Sequence, residues 1–264
     1  MPATTHGART AAAGRVASQT QDSAIARGLA VLELLALEAG PVRLADVAQR
    51  LGLQKSTAHR TLTTLSALGY VERATVPGCY QASLRLWEIG SDLAAHHPVK
   101  RAATEFIRRL HQSTRETVSL VILSGDDVLY LDKLISPRPI RFTSRVGTRA
   151  PAALTAGGKA ILAYERDARA MLDRTLARVE PKLRLSPDTF ARTLQDVRRK
   201  GYASSSFRSG VISFAAPIMA RDGRAAAAIS VSAPISRMTD AKRAQIVEQL
   251  LATCAEIAER VGHL

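Results

Sequence analysis

The chain is 264 residues long, 46% hydrophobic and only 4% aromatic, enough for two modest domains that each bury a core of their own. No apolar run reaches the length of a membrane-spanning helix, and the first residues lack the apolar core of a secretory leader, which excludes a helical membrane protein and points to the cytoplasm. The net charge of +14 invites a nucleic-acid reading, but residues 1–84 hold eight Lys/Arg against five Asp/Glu and the rest of the chain holds 29 against 18. The excess therefore strengthens general attraction to a polyanion without locating a site.

Residues 1–20 are rich in Ala, Thr, Gly and Arg with no apolar period, and are expected to form a disordered arm. From Ser23 to Leu37 the spacing predicts an amphipathic helix with Ile25, Leu29, Leu32 and Leu35 or Ala36 on its apolar side, Asp22 or Ser23 as cap, and Gly40-Pro41 beyond its end. Two shorter helices follow. Leu44, Val47, Ala48 and Leu51 recur at helical spacing and Gly52 stops the first. Ala58, Leu62, Leu65 and Leu68 form the apolar stripe of the second, which Gly69 ends. Opposite that stripe Ser56, His59, Arg60 and Thr63 share one face. An ordinary solvated helix would carry Glu and Lys there; hydrogen-bonding and cationic residues on a helix with a packed back are what reading a major groove requires.

Tyr70-Val71-Glu72-Arg73 and Cys79-Tyr80-Gln81-Ala82 flank Pro77-Gly78, the signature of a two-stranded ribbon placed as the wing of a winged helix-turn-helix. The candidate DNA-contacting residues are Arg27, Gln54, Lys55, Ser56, Thr57, His59, Arg60, Thr63 and Arg73, with Arg60 placed for a base edge and Lys55 and Arg73 for phosphate. The winged domain is thus expected over residues 21–82. A linker helix follows over residues 83–98, with Leu86, Ile89 and Leu93 on one side and Trp87 reserved for a domain or dimer contact. His96 and His97 lack companions at ligand spacing, and Cys79 and Cys254 form no metal pattern, so no metal and no disulfide is expected.

Residues 99–264 read as a second domain. A helix over 100–112 precedes β-rich runs at Thr117–Leu123, Val128–Ile135 and Ile140–Val146, the first two joined by Ser124-Gly125-Asp126-Asp127. Helices are predicted at about Thr155–Tyr164, Asp167–Leu176 and Ser186–Lys200, then strands at Val211–Met219 and Ala225–Ala233, and a closing helix at Asp240–Val261 capped by Thr239. This is an α+β domain with a mainly antiparallel sheet. TAGGKA at 155–160 misses the phosphate-loop spacing, which needs Gly and Ser/Thr where Ala153 and Ala160 stand, and no nucleophile–base motif occurs, so neither catalysis nor a cofactor is expected. Ligand binding fits better. Gly157 and Gly158 open a helix with amides available to an anion, and Ser230 and Ser232 point to one strand face; together they suffice for a small anion without a buried Lys or Arg partner. Small residues at close-packed backbones and serines on a solvated strand explain the same pattern, and spacing alone leaves the two readings level.

KSTAHRTLTTLSALGY, TAGGKAILAY and GVISFAAPIMARDGRAAAAISVSAPISR, in this order and separation, resemble the IclR-type bacterial transcriptional regulators over about residues 21–264. The resemblance implies a winged helix, a connecting helix and a GAF-like domain that binds a small effector, with self-association to a dimer or tetramer through the first and linker helices. It places the effector at positions matching Ala156, Gly157, Ser213, Ser230 and Ser232. Two departures stand out: Ser204-Ser205-Ser206-Phe207-Arg208 where many members carry acidic residues, and Ser83 where a glycine usually follows the wing. The reading is a cytoplasmic regulator that binds double-stranded operator DNA and responds to a small carboxylate. The rival is a ligand-binding or enzymatic module whose winged helix serves protein contacts. Should the serine pocket fail, the basic stretch Lys133–Arg149, with Arg138, Arg141 and Arg145, is the next candidate anion site.

Overall fold

The computed structural model describes residues 23–139 and 145–261. They form two compact units that divide between Leu93 and Ala94.

In the first unit, α1 (Ala24–Leu37), α2 (Leu44–Arg50) and α3 (Lys55–Ala67) pack with a three-stranded sheet ordered β1-β3-β2, where β1 is Val42–Arg43, β2 Val71–Arg73 and β3 Cys79–Ala82. Val31, Leu34 and Leu35 of α1, Val47 of α2, and Leu62 and Leu65 of α3 meet Val42, Val71 and Tyr80 in one core. Three expected apolar positions are corrected. Ile25 is 76% exposed and Leu29 also faces solvent, because the turn of α1 that meets α3 carries Val31, Leu34 and Leu35 instead. Leu68 is 56% exposed, since the stripe of α3 runs out where Gly69, at φ 78°, turns the chain away. The two-residue strand β1 was not legible: its pairing with β3 joins residues almost forty positions apart. Ser23 stands at the start of α1 without a side-chain cap, and Asp22 lies outside the described residues. α4 (Arg85–Ala95) follows the wing, and Ser83 fixes its start by donating from Oγ to the Gly69 carbonyl at 2.5 Å while accepting from the Arg85 amide.

The second unit is a three-layer stack. Its six-stranded antiparallel sheet runs β6-β5-β4-β9-β8-β7, with β4 Thr117–Ser124, β5 Asp127–Leu134, β6 Arg149–Pro151, β7 Ala203–Ser205, β8 Val211–Met219 and β9 Ala225–Pro234. The strand expected at Ile140–Val146 falls largely outside the described residues, Arg145 and Val146 are not in a strand, and the edge position belongs to β6. α5 (Pro98–Thr114) and α9 (Asp240–Val261) cover one face, where Phe106, Ile107, Leu110, Ile246 and Leu250 meet Val118, Leu120, Phe214, Ile229 and Val231. α6 (Ala156–Leu162), α7 (Ala168–Leu176) and α8 (Pro187–Lys200) lie on the other, against Val121, Val128, Ala215 and Ala228. The predicted caps form: Ser186 accepts from the Thr189 amide, Gly201 ends α8 at φ 77°, and Thr239 accepts from the Lys242 amide.

A buried carboxylate ties four segments of this unit together. The side chain of Glu116 is fully buried, and accepts from Arg138 at 2.6 Å, Lys242 at 2.6 Å and Arg237 at 2.8 Å. Burial by itself would raise its carboxyl; the hydrogen bonds and charges of Arg237 and Lys242 outweigh that and hold it below the ordinary range. The single carboxylate thus joins the start of β4, the segment after β5, the turn after β9 and the first turn of α9.

Candidate functional site

The first candidate surface is the outer face of α3. Ala58, Leu62 and Leu65 bury its back, so Lys55, Ser56, His59, Arg60 and Thr63 are turned outward, with Gln54 exposed at its start. Thr57 is half-buried, and its carbonyl accepts from Thr61 at 2.9 Å. Thr64 likewise bonds back to the Arg60 carbonyl at 3.0 Å. Such back-bonding turns two hydroxyls inward along the helix and leaves Ser56, His59, Arg60 and Thr63 as the outward polar set. Arg73 is exposed at the end of β2, on the ribbon that follows this helix. Arg27 is half-buried on α1.

The second candidate is a cavity in the other unit, between the sheet and the start of α6. Ala156, Gly157, Ser213, Ser230 and Ser232, drawn from three separate segments, all line it. Register explains the meeting. Ser213 pairs with Ser232, Ala215 with Ser230, and Ser205 with Ser213, and directly paired residues share a sheet face. Toward the β4–β5 turn this face is apolar, with Val121 and Val128; toward the other end it becomes a floor of hydroxyls. Ser230 and Ser232 are buried, not solvated. Ser213 and Ser232 share a hydrogen bond of 2.8 Å, so one of the two donates to the other and one proton is left to point elsewhere.

Gly158 plays a different part from the one expected. The Gly158 amide is taken by Thr155 Oγ1 at 3.0 Å, so it is not offered to a ligand. A Cβ on Gly158 would sit 2.1 Å from the Ala152 carbonyl oxygen, and one on Gly157 would sit 2.6 Å from Val121 Cγ2. Both are glycine because α6 lies against backbone and sheet too closely for a side chain. At its other end, α6 is held by Arg198, whose Nε donates to the Ala163 carbonyl.

Arg208, which is half-buried, lines the cavity beside Phe207 and Ser205. Ser205 anchors this rim by donating to the Leu154 carbonyl at 2.7 Å and accepting from the Phe207 amide. Tyr130, Thr155 and Val211 join the lining with no sequence signal. Arg138, held in reserve as an anion contact, is engaged with Glu116, and Arg141 lies outside the described residues. The cavity's volume is about 30 Å³, room for roughly two waters. Among the described residues no group of His, Cys, Asp and Glu is arranged to hold a metal, and no helix is long and apolar enough to cross a membrane.

Comparison with known proteins matches both units. The IclR helix-turn-helix domain covers residues 24–75, and the bacterial transcriptional regulator IclR C-terminal domain covers residues 92–259. The HTH-type transcriptional regulator BhcR of Paracoccus denitrificans is 33% identical over 240 residues, spanning 89% of this chain and 86% of its own. XynR of Escherichia coli, another HTH-type transcriptional regulator, is 29% identical over 90% of this chain and 97% of its own. Among solved structures, an IclR homolog from Microbacterium hydrocarbonoxydans complexed with 4-hydroxybenzoate superposes with a TM-score of 0.78 at 26% identity, covering 92% of this chain and all of the other. The IclR of Thermotoga maritima gives 0.73 at 25% identity, covering 90% of this chain and 98% of that one. These relatives are regulators of transcription, not enzymes. With a helix that displays a hydrogen-bonding face in one unit and a hydroxyl-floored cavity in the other, this chain belongs to the IclR family of bacterial transcriptional regulators, whose helix-turn-helix binds DNA and whose C-terminal domain binds a small ligand.

Proposed function

We propose that α3 is the recognition helix of a cytoplasmic operator-binding protein and that the cavity of the second unit receives its effector, a small organic acid. The observation that carries the effector assignment is the convergence of Ala156, Gly157, Ser213, Ser230 and Ser232 on one cavity although they are scattered over almost eighty residues. The relative crystallised with 4-hydroxybenzoate holds a carboxylate, which supports an acid here. On the DNA side, Arg60 lies mid-face where a guanidinium reaches a guanine edge, while Lys55 and Arg73 suit phosphate. Ligand binding alters operator affinity through its different affinity for two states of the protein.

Exposed apolar surface supports operation as a dimer or a pair of dimers. Ile25 and Leu29 on α1, and Trp87, Ile89 and Leu93 on α4, are all exposed, Trp87 by 70%. So much large apolar surface on two helices suits burial against a second copy. Two-fold pairing also doubles the operator length that is read. The test is an operator titration with and without small carboxylates, using wild type and a Ser230→Ala/Ser232→Ala double mutant, with light scattering alongside. The double mutant should bind operator as wild type does and ignore the acid. A persistent response places the ligand elsewhere, and a monomer with full operator affinity overturns the dimer.

A further inference from the structure

Register carries the hydroxyl floor one strand past the residues that line the cavity. On β4, Thr117 stands opposite Ser232 and Ser119 opposite Ser230, so both belong to the sheet face on which Ser213, Ser230 and Ser232 lie. Val121, two residues on from Ser119 and therefore on the same face, lines the cavity itself. Neither β4 hydroxyl stood out in the sequence.

These hydroxyls are of two kinds. Most are committed to the protein. Thr117 Oγ1 accepts from the Ser136 amide at 3.1 Å, Thr155 Oγ1 accepts from the Gly158 amide, Ser205 joins Leu154 to Phe207, and Ser213 and Ser232 hold each other. Ser119 and Ser230 differ. They are 2% and 6% exposed, and among the described residues neither hydroxyl has a hydrogen-bond partner. A buried hydroxyl without a partner costs stability, and here two stand side by side. The Cβ atoms of directly opposed residues lie about 5 Å apart, so the two hydroxyls can bracket one oxygen atom within hydrogen-bonding distance of both. Each has a proton to give and lone pairs to receive one. An oxygen that serves both as acceptor from one serine and as donor to the other is a hydroxyl; a carboxylate oxygen only accepts. A water satisfies the same pair, and a ligand hydroxyl reproduces its bonds. The pair lies two residues along β9 from Ser232, about 7 Å. A ligand whose carboxylate is held at the Ser213–Ser232 pair therefore carries its hydroxyl on a carbon remote from the acid group. The cavity is small, which keeps the skeleton short.

We propose that Ser119 and Ser230 form a subsite for a ligand hydroxyl, and that the effector is a short hydroxy acid with its hydroxyl on the third or fourth carbon. This rests on the cavity being the effector site.

The test is calorimetric titration of the full chain with butyrate and with 2-, 3- and 4-hydroxybutyrate. The 3- or the 4-hydroxy isomer should bind at least tenfold tighter than butyrate, because a site that hydrogen-bonds a hydroxyl discriminates against the analogue lacking it. The 2-hydroxy isomer should gain less than threefold. Ser119→Ala should bring the favoured isomer down to the butyrate level, and Ser119→Cys, similar in size but a weak donor, should do most of the same. Because the hydroxyl has no partner in the protein, Ser119→Ala should melt no lower than wild type when no ligand is present. Equal affinity for all four acids, a gain confined to the 2-hydroxy isomer, or a gain that survives Ser119→Ala overturns the hydroxyl subsite while leaving the cavity as the site. A ligand-free Ser119→Ala that melts several degrees below wild type makes the hydroxyl structural and overturns it as well. No heat from any of the four acids overturns the hydroxy-acid assignment. Binding that persists unchanged in Ser230→Ala/Ser232→Ala removes the ligand from the cavity and takes the effector-site reading with it.

Discussion

The two candidate sites are built in opposite ways. In the first unit one helix displays the whole candidate recognition face outward, and the residues behind it hold the fold. Face and core are separable because they occupy opposite sides of α3. In the second unit the cavity is assembled from β4, β5, β7, β8, β9, the start of α6 and the loop after β7, and Val121, Val128, Tyr130 and Ala156 of its lining are also core. A site displayed on one element can change without touching stability; a site closed between elements cannot.

Substitutions that strike both kinds of residue test this contrast, and the largest effect is expected at Gly158. Its added methyl would meet the backbone of Ala152 at 2.1 Å, which cannot give as a flexible side chain would. Gly158→Ala should cost about 3 kcal/mol or more, lowering the melting temperature by roughly 10 °C and abolishing the ligand response. A melting curve near that of wild type would show that α6 can move away from Ala152.

Next comes Glu116→Gln, which strands three cations around a neutral amide. Breaking a buried ion pair from one side costs about 3–5 kcal/mol, and because Arg138, Arg237 and Lys242 each keep some solvent contact the loss should lie near the lower end. The sign of the pH dependence is set by the lowered carboxyl. Its contribution is complete above the ordinary carboxylate range and is lost as pH falls through the folded value. Urea unfolding at neutral pH and at successively lower pH should therefore show the gap between wild type and Glu116→Gln shrinking on acidification. A constant gap would assign the loss to packing instead of charge.

On the displayed face, Arg60→Ala should reduce discrimination between operator and random DNA by about 1–3 kcal/mol, yet change stability by no more than about 0.5 kcal/mol. Lys55→Ala should weaken both DNAs alike and reduce the salt slope by about one. Equal loss on operator and random DNA for Arg60→Ala would remove it from base readout. The smallest effect concerns the thiols. Cys79 and Cys254 are both buried, and burial pushes the Cys254 thiol up to about 12. Neither should react with a thiol-specific reagent in the native protein at neutral pH, while both should react in denaturant. Rapid native labelling of Cys254 would mean that the α9–sheet contact opens readily.

Legibility in the sequence follows the same division. The helices of the first unit, the wing, the hairpin at Gly125 and the long strands of the second unit repeat their apolar residues at helical or alternating spacing. Their turns are marked by Gly, Pro, Asp or Ser. Short edge pieces carried no such mark: β1, β6 and β7 have two or three residues each and exist through their partners. The face of α1 was misassigned because both of its sides are apolar, one serving the core and the other bearing Ile25 and Leu29. Ser230 and Ser232 were legible as a pair on one strand, but their burial was not.

By itself the sequence determined the order of the helices and long strands, the two-part organisation and the outward face of α3, because each depends on residues within a few turns or strand steps of one another. Only the tertiary structure decided what depends on distant segments meeting. It brought Arg138, Arg237 and Lys242 to Glu116 across up to 126 residues, and set Ser213 against Ser232 through strand register. It pressed Gly158 against Ala152 and carried Arg208 to the rim of the cavity. The physical reason is that periodicity records which side of an element is apolar but not which partner covers it, and burial, ion pairing and cavity shape belong to the partner as much as to the residue.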